Sequence, residues 1–219
     1  MRIMSETIST HPPTRASFAS FCRLLYERHL VSGVGGNVSA RLGDKFLTTP
    51  SGICLRDMTQ DTVVTVDSRG KSYQETPPSK EFPMHHRIFK VRSNVHVVCH
   101  VHSAHIVAVS TLLKPGPNSL PPMTPGFVYL AHPLALIPFH VPGSSELADI
   151  VEHHFSDKKQ KALLLQNHGL ITTGGTMVEA LNIAEEIDEA AHVYVLTSGR
   201  GTLIPEKDVH SIQDMKKRS

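Results

Sequence analysis

Val95-His96-Val97-Val98-Cys99-His100-Val101-His102 is the stretch on which the fold turns. Its apolar, β-branched character is that of a strand buried in the middle of a sheet. Alternate residues of a strand point to one face, so His100 and His102 project together. Two imidazoles presented side by side make half of a tetrahedral zinc site. They are also what two polar residues at a strand end look like, each bonded to backbone. The chain carries 15 histidines, and histidine is the commonest metal ligand, so the pair is worth following.

Outward from this strand, helical and strand patterns alternate. Ala16 to Leu30 places Phe18, Phe21, Cys22 and Leu25 at helical spacing, and Gly33, Gly35 and Gly36 end the helix. Asn37 to Arg41, Lys45 to Thr49 and Thr62 to Val66 read as strands. Asp67-Ser68-Arg69-Gly70 reads as a hairpin turn into a further strand, Lys71 to Glu75. After Pro77 and Pro78, Met84, Ile88 and Val91 keep a helical period. Ala104 to Leu113 reads as a helix, and Lys114 to Pro125 as a Pro/Gly-rich loop. Phe127 to Ala131 and Leu134 to Phe139 are expected as strands, Ser145 to Phe155 as a helix, and Ala162 to Gln166 as a buried strand that Ile171 to Thr173 continues. A last helix opens with the capping-box pattern Thr176-Met177-Val178-Glu179, runs along Ala180, Ala184, Ile187, Ala191 and Val195, and stops near Gly199. Interspersed helices and strands predict an α/β chain, a central sheet with helices on both faces. The hairpin-like joins predict a mixed sheet.

Composition narrows the function classes. The 219 residues suit one domain better than two. With 40% hydrophobic and 19% charged residues, disorder of the whole chain is excluded. No apolar run approaches the roughly 20 residues of a membrane span. Lys plus Arg number 22 against 20 for Asp plus Glu, and apart from Lys216, Lys217 and Arg218 they are scattered, which argues against a nucleic-acid partner. Residues 1–15 lack a signal peptide's apolar core and read as a flexible arm; 16–199 read as the domain and 200–219 as a tail. Cys22, Cys54 and Cys99 are odd in number and lack CxxC spacing, as free thiols in a reducing cytoplasm do.

Three other motifs could carry chemistry. Asn167-His168-Gly169 follows the apolar run Leu163-Leu164-Leu165, where a buried strand ends and the chain turns; it is either a plain join or a third imidazole for a catalytic zinc. Pro78-Ser79-Lys80-Glu81 puts a carboxylate at a helix start. There it either favours the helix dipole or ligates metal and moves protons. The Ser79 hydroxyl and the helix N–H groups would suit a phosphate. Gly35-Gly36-Asn37 and Thr48-Thr49-Pro50-Ser51-Gly52 are Gly-rich turns whose backbone could approach an anion closely.

The joint order of Gly-Gly-Asn-Val-Ser, Thr-Pro-Ser-Gly, Pro-Ser-Lys-Glu, His-Val-His-Ser and Asn-His-Gly-Leu, followed by a Glu-rich helix, resembles the class II aldolase/adducin family over about Ala16 to Gly199. The resemblance implies a three-layer α/β/α fold with a central mixed, mainly antiparallel sheet, and a homotetramer with active sites between subunits. It implies that His100, His102 and His168 hold one divalent metal ion, Zn2+ first, with Mn2+, Co2+ or Fe2+ as alternatives. Glu81 is implied as a fourth ligand and catalytic acid/base. Asn37, Ser51, Gly52, Ser79 and Lys80 are implied to hold a substrate phosphate.

Two details resemble the family's decarboxylases. Lys80 stands where sugar-phosphate aldolases carry a second serine. Thr124-Pro125, then Leu136-Ile137-Pro138-Phe139, then Pro142-Gly143 follow the decarboxylase pattern. There is one departure: the family's loop tyrosine is missing at Gly126-Phe127, and Tyr129 lies three positions away. The implied function is a metal-dependent carbon–carbon lyase acting on a small phosphorylated sugar or sugar acid. Decarboxylation of 3-oxo-tetronate 4-phosphate through a metal-stabilised enediolate leads, and aldol cleavage of a ketose 1-phosphate is the alternative. A non-catalytic, adducin-head-like interaction domain is the rival, which has no need of Glu81 and three histidines together.

Overall fold

The computed structural model of the chain describes residues 12–215. Most of the arm expected at residues 1–15, and the basic Lys216, Lys217 and Arg218, lie outside the described residues. The elements are α1 (Arg15–Glu27), β1 (Asn37–Leu42), β2 (Lys45–Thr48), β3 (Val64–Val66), α2 (Phe82–Val91), β4 (Val97–Val101), α3 (Ala104–Leu112), α4 (Pro125–Leu130), β5 (Ala135–Ile137), α5 (Ser145–Phe155), β6 (Ala162–Leu165), β7 (Gly169–Gly174), α6 (Met177–Leu196) and α7 (Glu206–Met215). A short 3-10 turn, Leu55–Asp57, lies between β2 and β3.

The seven strands form one sheet in the order β3-β2-β1-β4-β7-β6-β5. The Val95–His102 stretch supplies β4, the middle strand, and all five of its residues are buried. Every pairing is antiparallel except β5 with β6, so the sheet is mixed. Val97, Cys99 and Val101 of β4 pack in a layer with Phe18 and Phe21 of α1, Ile106 of α3, Phe127 of α4 and Ile183 of α6. Val98 packs on the other face with Phe82 and Ile88 of α2 and Val151 and Phe155 of α5. Period-2 alternation thus yields the three layers, and it puts His100 on the face of α2 and α5. Each fully enclosed side chain such as Val151 or Phe155 contributes about 1.5–3 kcal/mol by leaving water.

The caps follow the chemistry of their residues. Thr14 accepts from the Ser17 N–H, and the Ser17 hydroxyl accepts from the Thr14 N–H in return. Thr176 accepts from Glu179 N–H at 3.1 Å, but the Glu179 carboxylate turns to the Gly175 N–H and to Lys161 rather than closing the box.

Two expectations are corrected, and a helix is added within the segment read as a tail. Phe127 to Ala131 is not a strand: α4 runs from Pro125 to Leu130. Pro125 suits the first helical turn, and six residues are too few for an apolar period to tell helix from strand. Lys71 to Glu75 forms only an isolated bridge, Val66 to Ser72, because the segment is largely exposed and Gln74 Oε1 takes the Thr65 N–H that a ladder would use. The turn before it forms as expected, with Asp67 Oδ1 accepting from the Arg69 and Lys71 N–H groups. Within residues 200–219, read as a tail, 206–215 form α7, which packs against α4.

Candidate metal centre and active site

The strand register builds the site. Asn37 of β1 pairs directly with His100 of β4, so the two side chains lie abreast on one face. On the other side His100 pairs with Ile171 of β7. Just before β7, Asn167 adopts φ 56°, a left-handed conformation that asparagine tolerates, and turns the chain so that His168 faces back. Glycine is required next: a Cβ on Gly169 would stand 2.5 Å from both the Val101 carbonyl oxygen and His102 Cδ2. His102 is anchored at the strand end by its N–H to the Leu30 carbonyl at 2.9 Å.

Glu81 is the N-cap residue of α2, yet its carboxylate makes no capping bond to its own helix. It turns toward the sheet. Asn37 Nδ2 donates to Glu81 Oε2 at 2.9 Å. His100 Nε2 stands 3.3 Å from Oε2, and His168 Nε2 stands 3.4 Å from Oε1. The three Nε2 atoms converge: His102 to His100 is 2.7 Å, and His100 to His168 is 3.1 Å. One donor atom from each of Glu81, His100, His102 and His168 lies within 4.8 Å of the others. Four donors bonded to a tetrahedral zinc ion at roughly 2.1 Å stand about 3.4 Å apart, so the set matches such an ion in size and chemistry. His100 Nδ1 meets the Leu170 carbonyl at 3.0 Å, which puts that proton on Nδ1 and leaves Nε2 to face its partners. Neighbouring lone pairs at 2.7 Å repel unless a proton or a cation lies between them, and Glu81 Oε1 is buried without a hydrogen bond.

The electrostatics agree. Burial disfavours a charged Glu81, but His100, His168 and the Asn37 N–H outweigh it and hold the carboxyl well below the usual range. Burial likewise opposes a charged His100, while Glu81 beside it and the Leu170 carbonyl raise it above the ordinary value. Burial, then His100 and His168, push His102 down to about 3, and burial, then His100, pushes His168 down to about 4. Neutral His102 and His168 beside an ionised Glu81 are in the states that metal ligands need, and a cation beside His100 would take the place of the proton that Glu81 favours there.

Beside the cluster lies a cleft of about 310 Å³, lined by Asn37, Ser51, Gly52, Ser79, Lys80, Glu81 and His102, with Pro142 and Gly143. Two laced segments bring its polar side chains together. The Ser51 N–H donates to the Pro77 carbonyl at 3.1 Å, and the Ser79 N–H donates to the Thr49 carbonyl at 2.9 Å. One detail of the phosphate expectation is corrected. The first-turn N–H groups of α2 are taken internally, Glu81 by Ser79 Oγ, Phe82 by the Ser79 carbonyl and Met84 by the Glu81 carbonyl. An anion there has the Ser51, Ser79 and Lys80 side chains to meet instead. The Asn37 amide N–H is committed to Glu81 for as long as that carboxylate faces the histidines. Tyr129 sits on α4, which packs against α6 and α7, and it does not line the cleft.

The chain belongs to the family of the class II aldolase and adducin N-terminal domain, whose model matches residues 16–195. It is an enzyme of the lyase class, as its curated relatives are. The sequence is 32% identical to 3-oxo-tetronate 4-phosphate decarboxylase of Haemophilus influenzae, over 81% of this chain and 85% of that one. It is 33% identical to L-fuculose phosphate aldolase of Methanococcus maripaludis, over 83% and 96%. Among solved structures, YgbL of Klebsiella pneumoniae superposes with a TM-score of 0.84 at 27% identity, covering 90% of this chain and 96% of that one. An L-fuculose 1-phosphate aldolase superposes with a TM-score of 0.81 at 23% identity, over 95% and 98%, and shares the fold.

Two further residues lie near the site: His85, which belongs to no motif quoted above, and Ser103, the last residue of His-Val-His-Ser. His85 follows Glu81 by one helical turn and is fully buried; the interval of four residues on a helix is the one sign that pointed to it. Ser103, next to His102, caps α3 through the Ile106 N–H and donates its hydroxyl to Asp188 of α6.

Proposed function

We propose that this lyase is metal-dependent, cytoplasmic and homotetrameric, and that it decarboxylates 3-oxo-tetronate 4-phosphate to dihydroxyacetone phosphate and CO2. The observation that carries the metal-dependent reading is the convergence of Glu81, His100, His102 and His168 at the edge of a cleft with polar side chains. A divalent cation held by these residues, Zn2+ first, supplies Lewis-acid polarisation of the substrate's carbonyl and positive charge beside the enediolate.

The chain's own residues do the rest. The bond between C1 and C2 breaks, CO2 leaves, and its electron pair remains on C2 and the C3 oxygen. One proton must then reach C2, and Glu81 delivers it. Glu81 is ionised while it faces His100 and His168. A substrate that displaces the carboxylate removes those contacts, and burial, the largest influence on this group, then favours the protonated acid. The same displacement frees the Asn37 N–H for the substrate. Ser51, Gly52, Ser79 and Lys80 hold the phosphate or the carboxylate.

Lys80 favours the decarboxylase. Its charge suits a substrate that carries a carboxylate as well as a phosphate, and Gly143 of the decarboxylase-like Pro142-Gly143 packs on its backbone, a Cβ there falling 3.5 Å from the Lys80 carbonyl oxygen. Aldol cleavage of a ketose 1-phosphate is the second reading, supported by the aldolase relative at 33% identity, against 32% for the decarboxylase, and by the shared enediolate. The test is CO2 release from 3-oxo-tetronate 4-phosphate, with dihydroxyacetone phosphate followed in parallel, on zinc-loaded and chelator-stripped protein. Metal-dependent release of both products is expected. No release from zinc-loaded protein overturns this substrate and transfers the assignment to ketose 1-phosphates.

A further inference from the structure

His85 is a buried titratable group that the chemistry above leaves unused. Its side chain is fully enclosed, and the helix that carries it, α2, shares an apolar cluster through Phe82 and Ile88 with Phe46 and Val98 of the sheet. Packing alone would be served by a leucine. The histidine instead makes a directed chain of hydrogen bonds. Its Nδ1 lies 2.9 Å from Ser39 Oγ, Ser39 Oγ lies 3.0 Å from Thr48 Oγ1, and the Thr48 hydroxyl donates to the Val38 carbonyl at 3.2 Å. Because Thr48 spends its proton on Val38, it accepts from Ser39, and Ser39 in turn accepts from His85 Nδ1–H. The opposite tautomer would bury an N–H at Nε2, where no partner stands. Ser39 and Thr48 are as completely enclosed as His85. Burial pushes His85 down to about 3, so the ring is neutral and the chain keeps its direction.

The three elements tied in this way are the three that shape the front of the site. Helix α2 carries Glu81 at its start. Strand β1 carries Asn37, two residues from Ser39 and on the same face, with its amide on Glu81. Strand β2 ends at Thr48 and runs directly into Thr49-Pro50-Ser51-Gly52. We propose that His85 is a positioning residue: through Ser39 and Thr48 it sets the first turn of α2 against β1 and β2, and so holds the Glu81 carboxylate in register with Asn37 and the three histidines. The inference rests on the metal-centre reading.

The test uses the full chain as wild type, His85→Leu, His85→Asn and Ser39→Ala. Zinc affinity is read by competition with a chromogenic chelator, and thermal midpoints are read on metal-free protein. Asparagine places an N–H close to that of imidazole Nδ1, whereas leucine fills the space without one. His85→Leu and Ser39→Ala are expected to weaken zinc binding about tenfold or more, and His85→Asn to restore it to within about threefold of wild type. A merely structural histidine would lower the midpoint of His85→Leu without separating it from His85→Asn in zinc affinity. If His85→Leu does not fold, Ser39→Ala against wild type decides. Equal zinc affinity in all folded variants overturns the positioning role, and so does an Asn variant no better than the Leu variant. A wild type that binds no zinc overturns the metal centre itself, and the role of His85 with it.

Discussion

At the scale of single residues, Glu81 shows how a site departs from local preference. A carboxylate at a helix start is well placed to bond the first N–H groups. Glu81 makes no such bond and faces three histidines instead. A local preference left unused at one position is characteristic of a functional site. Lys80, its neighbour, is exposed at the cleft and is not among the four donors. Replacing it separates substrate recognition from metal binding. Lys80→Ser is expected to lower kcat/KM for 3-oxo-tetronate 4-phosphate by about 10- to 100-fold, the value of one hydrogen bond to a charged group. Zinc affinity should stay as in the wild type. Steady-state kinetics beside a chelator competition checks both, and unchanged turnover removes Lys80 from substrate recognition.

At the scale of elements, the join between β6 and β7 is the most exacting part of the fold. A methyl group on Gly169 meets the Val101 carbonyl oxygen and the His102 ring at 2.5 Å, and the carbonyl belongs to the central strand. Gly169→Ala is therefore expected to cost about 1–3 kcal/mol of stability through overpacking and to weaken zinc binding, since His102 must move. Gly116→Ala is the control, because a Cβ there makes only an ordinary 3.7 Å contact with Ser119 Oγ. Denaturant midpoints and zinc affinities of the two variants make the comparison; equal behaviour shows that the join can relax. Long elements were legible at this scale. The spans of α5 and β4, and the alternation that puts His100 and His102 on one face, follow from apolar period and β-branching. The six-residue α4 and the would-be strand after Gly70 were not, because in short segments neighbouring contacts outweigh propensity.

At the scale of the whole molecule, burial of histidines couples folding to pH. His86, His132 and His154 are each held below the ordinary histidine value, foremost by burial. Their folded pKa values lie below the unfolded value of 6.5, so between the two the unfolded chain binds more protons than the folded one. Stability from these groups is complete above about pH 6.5 and falls as the pH drops below it. Urea midpoints measured in chelator from pH 7.5 to 5.5 should decline accordingly. A midpoint that is flat or rising across that interval contradicts the linkage.

The sequence by itself determined the layered α/β architecture, because the periods 2 and 3.6 are local properties of the chain. It also named the four residues that converge in the candidate metal centre, through the family resemblance carried by His-Val-His-Ser, Asn-His-Gly-Leu and Pro-Ser-Lys-Glu together rather than through any one local pattern. Only the tertiary structure decided that Asn37 serves Glu81, that the first turn of α2 satisfies its own N–H groups, and that His85 is braced by Ser39 and Thr48. Asn37 with Glu81 and Ser39 with His85 are 44 and 46 positions apart, and strand register and helix docking bring them together. No local pattern specifies which side chain a register will bring opposite another.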